Sequence, residues 1–272
     1  VEPASQCNLM CAHCPTGTVT MERGIMPSAV FERVIEELEL HKGRVQTVVL
    51  YHGGEPLLNA KIYSMIEAIK NVRRDFLVKT VTNGMALTKS NSKKLISSGI
   101  DEIEISLDGM SAEESEVIRR KSRTSQIVGN ITDFIKCRHL ANGGKKPKLS
   151  ISTAQFVRNK SGLIPEDIAP PDVPGWLIEL FGHEDSVEFK TGWGFQWPHM
   201  DHTPFFDLAY SEQTTDRSEC DHALNTITVR SDGNVVPCCY DLTSKLKMGN
   251  ILDDALEEIW NGDRYQKLRS SI

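Results

Sequence analysis

Long apolar runs are missing from these 272 residues. None approaches the roughly 18 residues that a membrane-spanning helix needs, and no charged-then-apolar leader opens the chain. A cytoplasmic location without a membrane partner is the resulting expectation. An excess of basic charge is missing too. Lysine and arginine total 31 against 37 aspartates and glutamates, a formal net charge of −6, which excludes the broad basic surface of a general nucleic-acid binder. There is no internal repeat and no low-complexity tract. Cysteine is scarce, at seven, and unevenly placed: Cys7, Cys11 and Cys14, then Cys137, then Cys220, Cys238 and Cys239. An odd count in tight groups is not a small disulfide scaffold. In a chain this long such groups more often bind metal or do chemistry. The chain opens on Val, with almost nothing before Cys7, and reads as a fragment or a trimmed chain.

What is present suffices for a full core, as one large α/β domain or one with a small appendage. Val30, Phe31, Val34, Ile35 and Leu38 recur at helical spacing, and Thr47 to Tyr51 is a β-branched run ending at Gly-Gly. Helix and strand then alternate: a helix over Ile62–Val72, a strand over Phe76–Val81, a helix from Lys89 to Ser98, a strand over Glu102–Leu107, a long helix around Ile127–Ile135 and a strand over Leu149–Ala154. Such βα alternation argues a parallel sheet with helices outside it. The Gly, Asn and Asp residues gather at strand ends, where parallel α/β proteins bind ligands. The pattern fades over 158–219, with a further strand expected at Val187–Lys190. A hairpin with an Asp232-Gly233 turn and a short helix over Leu252–Trp260 follow.

Cys7-x3-Cys11-x2-Cys14 puts three thiolates within eight residues. Iron–sulfur clusters usually take four cysteine ligands, so a group of three leaves one iron of a cubane open to a substrate or cosubstrate. The bland alternative is a structural zinc site with His13 or a distant residue as fourth ligand. Zinc sites, however, usually bring a second cysteine pair, and none lies nearby.

The CNLMCAHC segment resembles the cluster loop of the radical S-adenosylmethionine (SAM) enzymes, and other motifs of that superfamily follow in order. Gly53-Gly54-Glu55-Pro56 matches its GGEP segment, Thr82-Asn83-Gly84 its TNG turn, and Ser106-Leu107-Asp108-Gly109 its S-x-D-G strand end; Arg119 and Arg120 fall where the family often has an arginine. The resemblance covers roughly residues 1–154. It implies an α/β fold, a partial (β/α)6 TIM-like barrel over 1–190. It also implies a 4Fe–4S cluster on Cys7, Cys11 and Cys14 whose open iron is chelated by SAM. Glu55 would meet the SAM ammonium, Ser106 and Asp108 the ribose, Arg119 or Arg120 the carboxylate, and His13 the adenine.

Cys220, Gly233 and Cys238, with the later Met248-Gly249-Asn250-Ile251 and Glu258-Ile259-Trp260, resemble the SPASM/twitch extension of a subset of these enzymes. That resemblance implies a C-terminal hairpin-plus-helix extension over 220–272, beyond an aromatic linker at 191–219, carrying an auxiliary iron–sulfur cluster. The later C-x2-C pair that usually completes the cluster does not occur before Ile272. Truncation, absence of the auxiliary cluster, or its completion by another residue such as Cys239 would account for that. Cys137 reads as a packing cysteine, with hydrogen-atom donation as its functional alternative. His199, Asp201 and His202 are either pocket or loop residues. The expected activity is reductive SAM cleavage and hydrogen abstraction from a substrate C–H bond, oxidising or epimerising a small aminocyclitol- or sugar-like molecule. A flavodoxin or ferredoxin would be the reductant. Maturation of a ribosomal peptide or protein is one alternative, and a zinc-stabilised binding module without SAM chemistry is the other.

Overall fold

The computed structural model describes residues 1–155, 171–194 and 221–271. Among them, five strands form one parallel sheet in chain order: β1 (Thr47–Val49), β2 (Leu77–Thr82), β3 (Glu102–Ser106), β4 (Lys148–Gln155) and β5 (Val187–Trp193). The helices between them are α2 (Ser28–His41) ahead of β1, α3 (Ile62–Val72), α4 (Lys89–Ser97), α5 (Ala112–Ile118), α6 (Thr124–Asn142) and α7 (Gly175–Phe181). A four-residue helix, α1 (Pro15–Thr18), follows Cys14 directly. The segment before Cys7 contributes a single bridge, Ala4 to Ile25, and the backbone nitrogen of Val1 donates to Val49 O at 2.9 Å.

Side-chain alternation explains which way the sheet faces. In β2, Val78, Thr80 and Thr82 are buried while Leu77, Lys79 and Val81 are half-buried; in β3, Ile103 and Ile105 are buried between Glu102, Glu104 and Ser106. The buried set meets Ile62, Ile66 and Ile69 of α3, Leu95 of α4, and Ile127, Ile131 and Phe134 of α6 in one core. Each fully buried aliphatic side chain there is worth about 1.5–3 kcal/mol. The other face carries charge. The interior of a closed barrel is filled with branched apolar side chains; this inner face is not, so it borders a cavity rather than a core.

The C-terminal part forms a small antiparallel sheet, β6 (Thr228–Val229), β7 (Asn234–Val236) and β8 (Gly249–Asn250), flanked by α8 (Asp221–Asn225), α9 (Leu256–Asn261) and α10 (Asp263–Arg269). The expected hairpin turn is there, with Gly233 at φ +84, a value that favours glycine. The single helix expected over 252–260 is instead a turn followed by two short helices. Asn250 Oδ1 caps the turn at Leu252 N, and Gly262 ends α9 in an extended conformation that also starts α10. Strand β5 runs three residues further than its sequence pattern indicates, because its pairing with β4 extends to Gln155–Trp193.

Candidate functional site

The cluster loop owes its shape to the end of α5. Met10 N donates to Arg120 O and Ala12 N to Ile118 O, both at 2.9 Å, and Arg120 Nε returns a bond to Met10 O at 2.9 Å. Cys7, Cys11 and Cys14 thereby line one cavity of about 160 Å³ together with His13, Gly53, Gly54, Glu55, Thr82, Asn83, Ser106 and Arg119. These residues come from the cysteine loop and from the ends of β1, β2 and β3 with the connections that follow them, which the parallel sheet brings to its carboxyl rim. Arg120, by contrast, holds the loop backbone from outside the cavity. Pro56 is buried at the start of a short 3-10 turn, Pro56–Leu58. Cys137 is buried on α6 and borders neither cavity described here. His199, Asp201 and Cys220 lie outside the described residues.

Glu55 has more structural work than a carboxylate between Gly-Gly and Pro suggests from sequence. Its Oε1 accepts from Leu57 N at 3.0 Å and Thr82 Oγ1 at 2.7 Å, and its Oε2 from Asn83 N at 2.8 Å. Burial nevertheless pushes its carboxyl above the usual range, against those three bonds. Asn83 Nδ2 reaches Asn8 Oδ1 at 2.8 Å and Cys7 Sγ at 3.7 Å, so the TNG turn touches a cluster cysteine directly. Gly54 is required by close approach: a Cβ there would fall 2.5 Å from Gln6 O and closer still to Ala4 O.

Asp108 and Arg119 form a buried pair at 2.7 Å, with Asp108 Oδ1 also accepting from Ala154 N at 2.9 Å and His13 Nε2 3.9 Å from Oδ2. Burial alone would raise the Asp108 carboxyl; the charges of Arg119 and His13 hold it below its ordinary value. Burial likewise opposes the Arg119 charge, and Asp108 more than restores it. His13 is lowered by burial, with Asp108 opposing. Among the thiols, burial pushes Cys7 up and Cys11 up to about 12. Such thiols become thiolates only when a metal's charge replaces the proton.

The residues present fit an iron–sulfur cluster and SAM. Three thiols share one wall, yet among the described residues no three His, Cys, Asp or Glu side chains converge as a single-ion site demands. Thiolates are the ligands that iron–sulfur clusters take, and all three line the one cavity. Arg119 Nε is buried and finds no acceptor among the described residues, so an anionic group in the cavity has a donor waiting.

Sequence reasoning missed a second, larger cavity of about 810 Å³. One wall is the inner sheet face, with Tyr51, Lys79, Glu102, Glu104, Ser150 and Lys190. The other is the C-terminal part, with His222, Asn225, Thr226 and Cys239. It shares Tyr51, His52 and Val81 with the cysteine cavity. Lys190 Nζ and Glu104 pair at 2.6 Å, while Lys79 has no ion-pair partner among the described residues. The period-2 alternation of β2 and β3 was the signal: it put Lys79, Glu102 and Glu104 on one face. Cys238 and Cys239 are half-buried after β7, and only Cys239 borders this cavity. Glu2, Thr16 and Arg230, also near the site, left no sequence signal. No described helix is long and apolar enough to cross a membrane.

Comparison with known proteins agrees with this geometry. Residues 1–138 match the radical SAM superfamily, and residues 220–272 match SPASM, an iron–sulfur cluster-binding domain. The chain is 23% identical to a tungsten-containing aldehyde ferredoxin oxidoreductase cofactor-modifying protein of Pyrococcus furiosus, over 99% of this chain and 82% of that protein. It is 22% identical to an AdoMet-dependent heme synthase of Methanosarcina barkeri, over 98% and 83%. Among solved structures, BtrN in complex with AdoMet and 2-DOIA is similar in fold, with TM-score 0.59, 18% identity and coverage of 99% and 83%. With a family match over half its length, this chain belongs to the radical SAM superfamily and carries a SPASM domain, so a SAM-binding 4Fe–4S cluster and an auxiliary iron–sulfur site are its cofactor equipment.

Proposed function

We propose that the protein oxidises or epimerises a small, polar, aminocyclitol- or sugar-like molecule held in the larger cavity. SAM held on a reduced cluster would supply hydrogen-atom abstraction from a C–H bond, and in an oxidation the remaining electron would pass to the auxiliary cluster as a proton is lost. A flavodoxin or ferredoxin is the electron donor in this reading. Cys7, Cys11 and Cys14 hold the cluster. Arg119 offers its unpartnered Nε to the SAM carboxylate, Ser106 borders the ribose and His13 the adenine. Asp108, with both oxygens bonded inside the chain, keeps Arg119 in place. Cys238 and Cys239, with Cys220, are the candidate auxiliary-cluster ligands.

One observation carries the substrate class: the larger cavity has charged walls of both signs and adjoins the cysteine cavity. Its volume lies within the roughly 300–1,000 Å³ typical of small-molecule sites. Burying an apolar side chain against Lys79, Glu102 and Glu104 would strip water from charges without replacing it. Hydroxyl and ammonium groups can replace that water bond for bond. BtrN's complex contains AdoMet and 2-DOIA, and the fold likeness is compatible with such a ligand.

The test is anaerobic reconstitution, reduction and measurement of 5′-deoxyadenosine. Aminocyclitols or amino sugars are expected to stimulate its formation at least tenfold over the substrate-free rate, and Cys11→Ala is expected to abolish it. Stimulation by ribosomal peptides alone would overturn the substrate class. A colourless, zinc-containing protein that leaves SAM intact would overturn the enzymatic reading.

A further inference from the structure

Glu2 is the most buried carboxylate in the described structure that the proposed chemistry leaves unused, with no exposed surface at all. Its two oxygens serve two different parts of the chain. Oε1 accepts from Gly53 N at 2.9 Å and lies 3.2 Å from His52 Nδ1, both on the loop that leads into Glu55. Oε2 accepts from Ser231 N at 3.0 Å and Arg230 Nε at 3.3 Å, both on the β6–β7 turn of the SPASM domain. The backbone repeats the connection, since Glu2 N donates to Val229 O at 2.8 Å. Despite burial, which works against the charge, the bond from His52 and the charges of His52 and Arg230 hold Glu2 ionised well below the carboxylate range.

Gly53 is clamped from both sides. Its N–H is held by Glu2, and its carbonyl accepts from the Thr16 hydroxyl of α1, the helix that begins one residue after Cys14. A continuous chain of charge-assisted and neutral hydrogen bonds therefore runs from Arg230 through Glu2 and Gly53 to the cluster loop. Charge-assisted bonds of this kind are roughly twice as strong as neutral ones, and a buried carboxylate that loses its cation is strongly disfavoured. Moving the hairpin turn thus requires the SAM loop to yield as well.

We propose that Glu2 is a positioning residue through which the auxiliary-cluster domain sets the SAM-binding loop, so that removing Arg230 from the hairpin weakens SAM binding at the first cluster. The inference rests on the reading, implied by the superfamily resemblance, that Glu55 at the end of this loop meets the SAM ammonium. It assigns a role in substrate handling to neither Glu2 nor Arg230.

The test uses the full chain with reconstituted clusters and compares wild type, Glu2→Gln, Arg230→Met, the double variant and Arg230→Lys. SAM dissociation constants come from equilibrium dialysis, and the SAM-induced change in the EPR spectrum of the reduced cluster is titrated alongside. Arg230→Met and Glu2→Gln are each expected to weaken SAM binding about tenfold. The double variant should bind no more weakly than Glu2→Gln alone, because the two residues act in series. Arg230→Lys should recover to within about threefold of wild type. Loosened positioning moves the midpoint of the EPR titration at full amplitude, whereas misfolding would remove amplitude. Unchanged SAM affinity in Arg230→Met, additive effects in the double variant, or lost amplitude without a shifted midpoint would each overturn the coupling alone. A wild-type protein that fails to bind SAM would overturn the reading of the loop, and this inference with it.

Discussion

The two faces of the five-stranded sheet have opposite characters. Outward, Val78, Ile103, Ile105, Leu149 and Ile151 are completely buried under α3, α4 and α6. Inward, the same strands present Lys79, Glu102, Glu104, Ser150 and Lys190 to a cavity. Alternate residues of one strand therefore answer to different demands, the odd ones of β3 to packing and the even ones to solvation. The sheet draws its stability from one side and keeps the other open for a ligand. At the carboxyl rim the division ends. There Glu55 and the Asp108–Arg119 pair are buried like core residues yet charged or polar like the inner wall.

Three changes would break or sharpen this contrast. The largest effect is expected for Ile105→Ala on the outer face. It should cost about 2–5 kcal/mol, the usual range for such a large-to-small change in a well-packed core, and urea unfolding would measure it. A loss under about 1 kcal/mol would mean that the outer face is not the stabilising one. At the rim, acid should act through Asp108. Its folded pKa lies below the ordinary 3.8, so its contribution is fully present above the unfolded value and is lost as pH falls through the folded one. Unfolding curves between pH 5 and 2 should be steeper for wild type than for Asp108→Asn, although the variant is the less stable at pH 7. Equal slopes would show that the pair contributes nothing to folding. The smallest effect belongs to the inner face. Glu104→Gln should change stability by less than about 1 kcal/mol, since its partner Lys190 is nearly half exposed and such pairs are weak. It should still lower substrate-stimulated 5′-deoxyadenosine formation. A large loss of stability would make the inner wall structural.

Much of the fold was legible because its signals are local. The alternation in Leu77–Thr82 and Glu102–Ser106 and the helical spacing of Ile62, Met65, Ile66 and Ile69 each fix an element within a dozen residues. The rim motifs were legible for the same reason. What escaped depends on contacts across long separations. Asp108 and Arg119 could each be placed near SAM from sequence, but nothing indicated that they would meet each other. Glu2 and Arg230 stand 228 residues apart, and no local pattern marks either one. The two-residue strand β8 is too short for any period to register. The inner cavity exists only because the C-terminal part lies opposite the sheet.

Gly54 lies against Ala4 and Gln6 with no room for a Cβ, and Glu55 N donates to Gln6 O at 2.9 Å beside it. Every genetically encoded amino acid other than glycine carries that atom. In mutational terms position 54 has no neighbours: no first small step exists by which the chain could try another residue there. Wherever the backbone leading to Cys7 keeps its present course, this one site is an all-or-none choice.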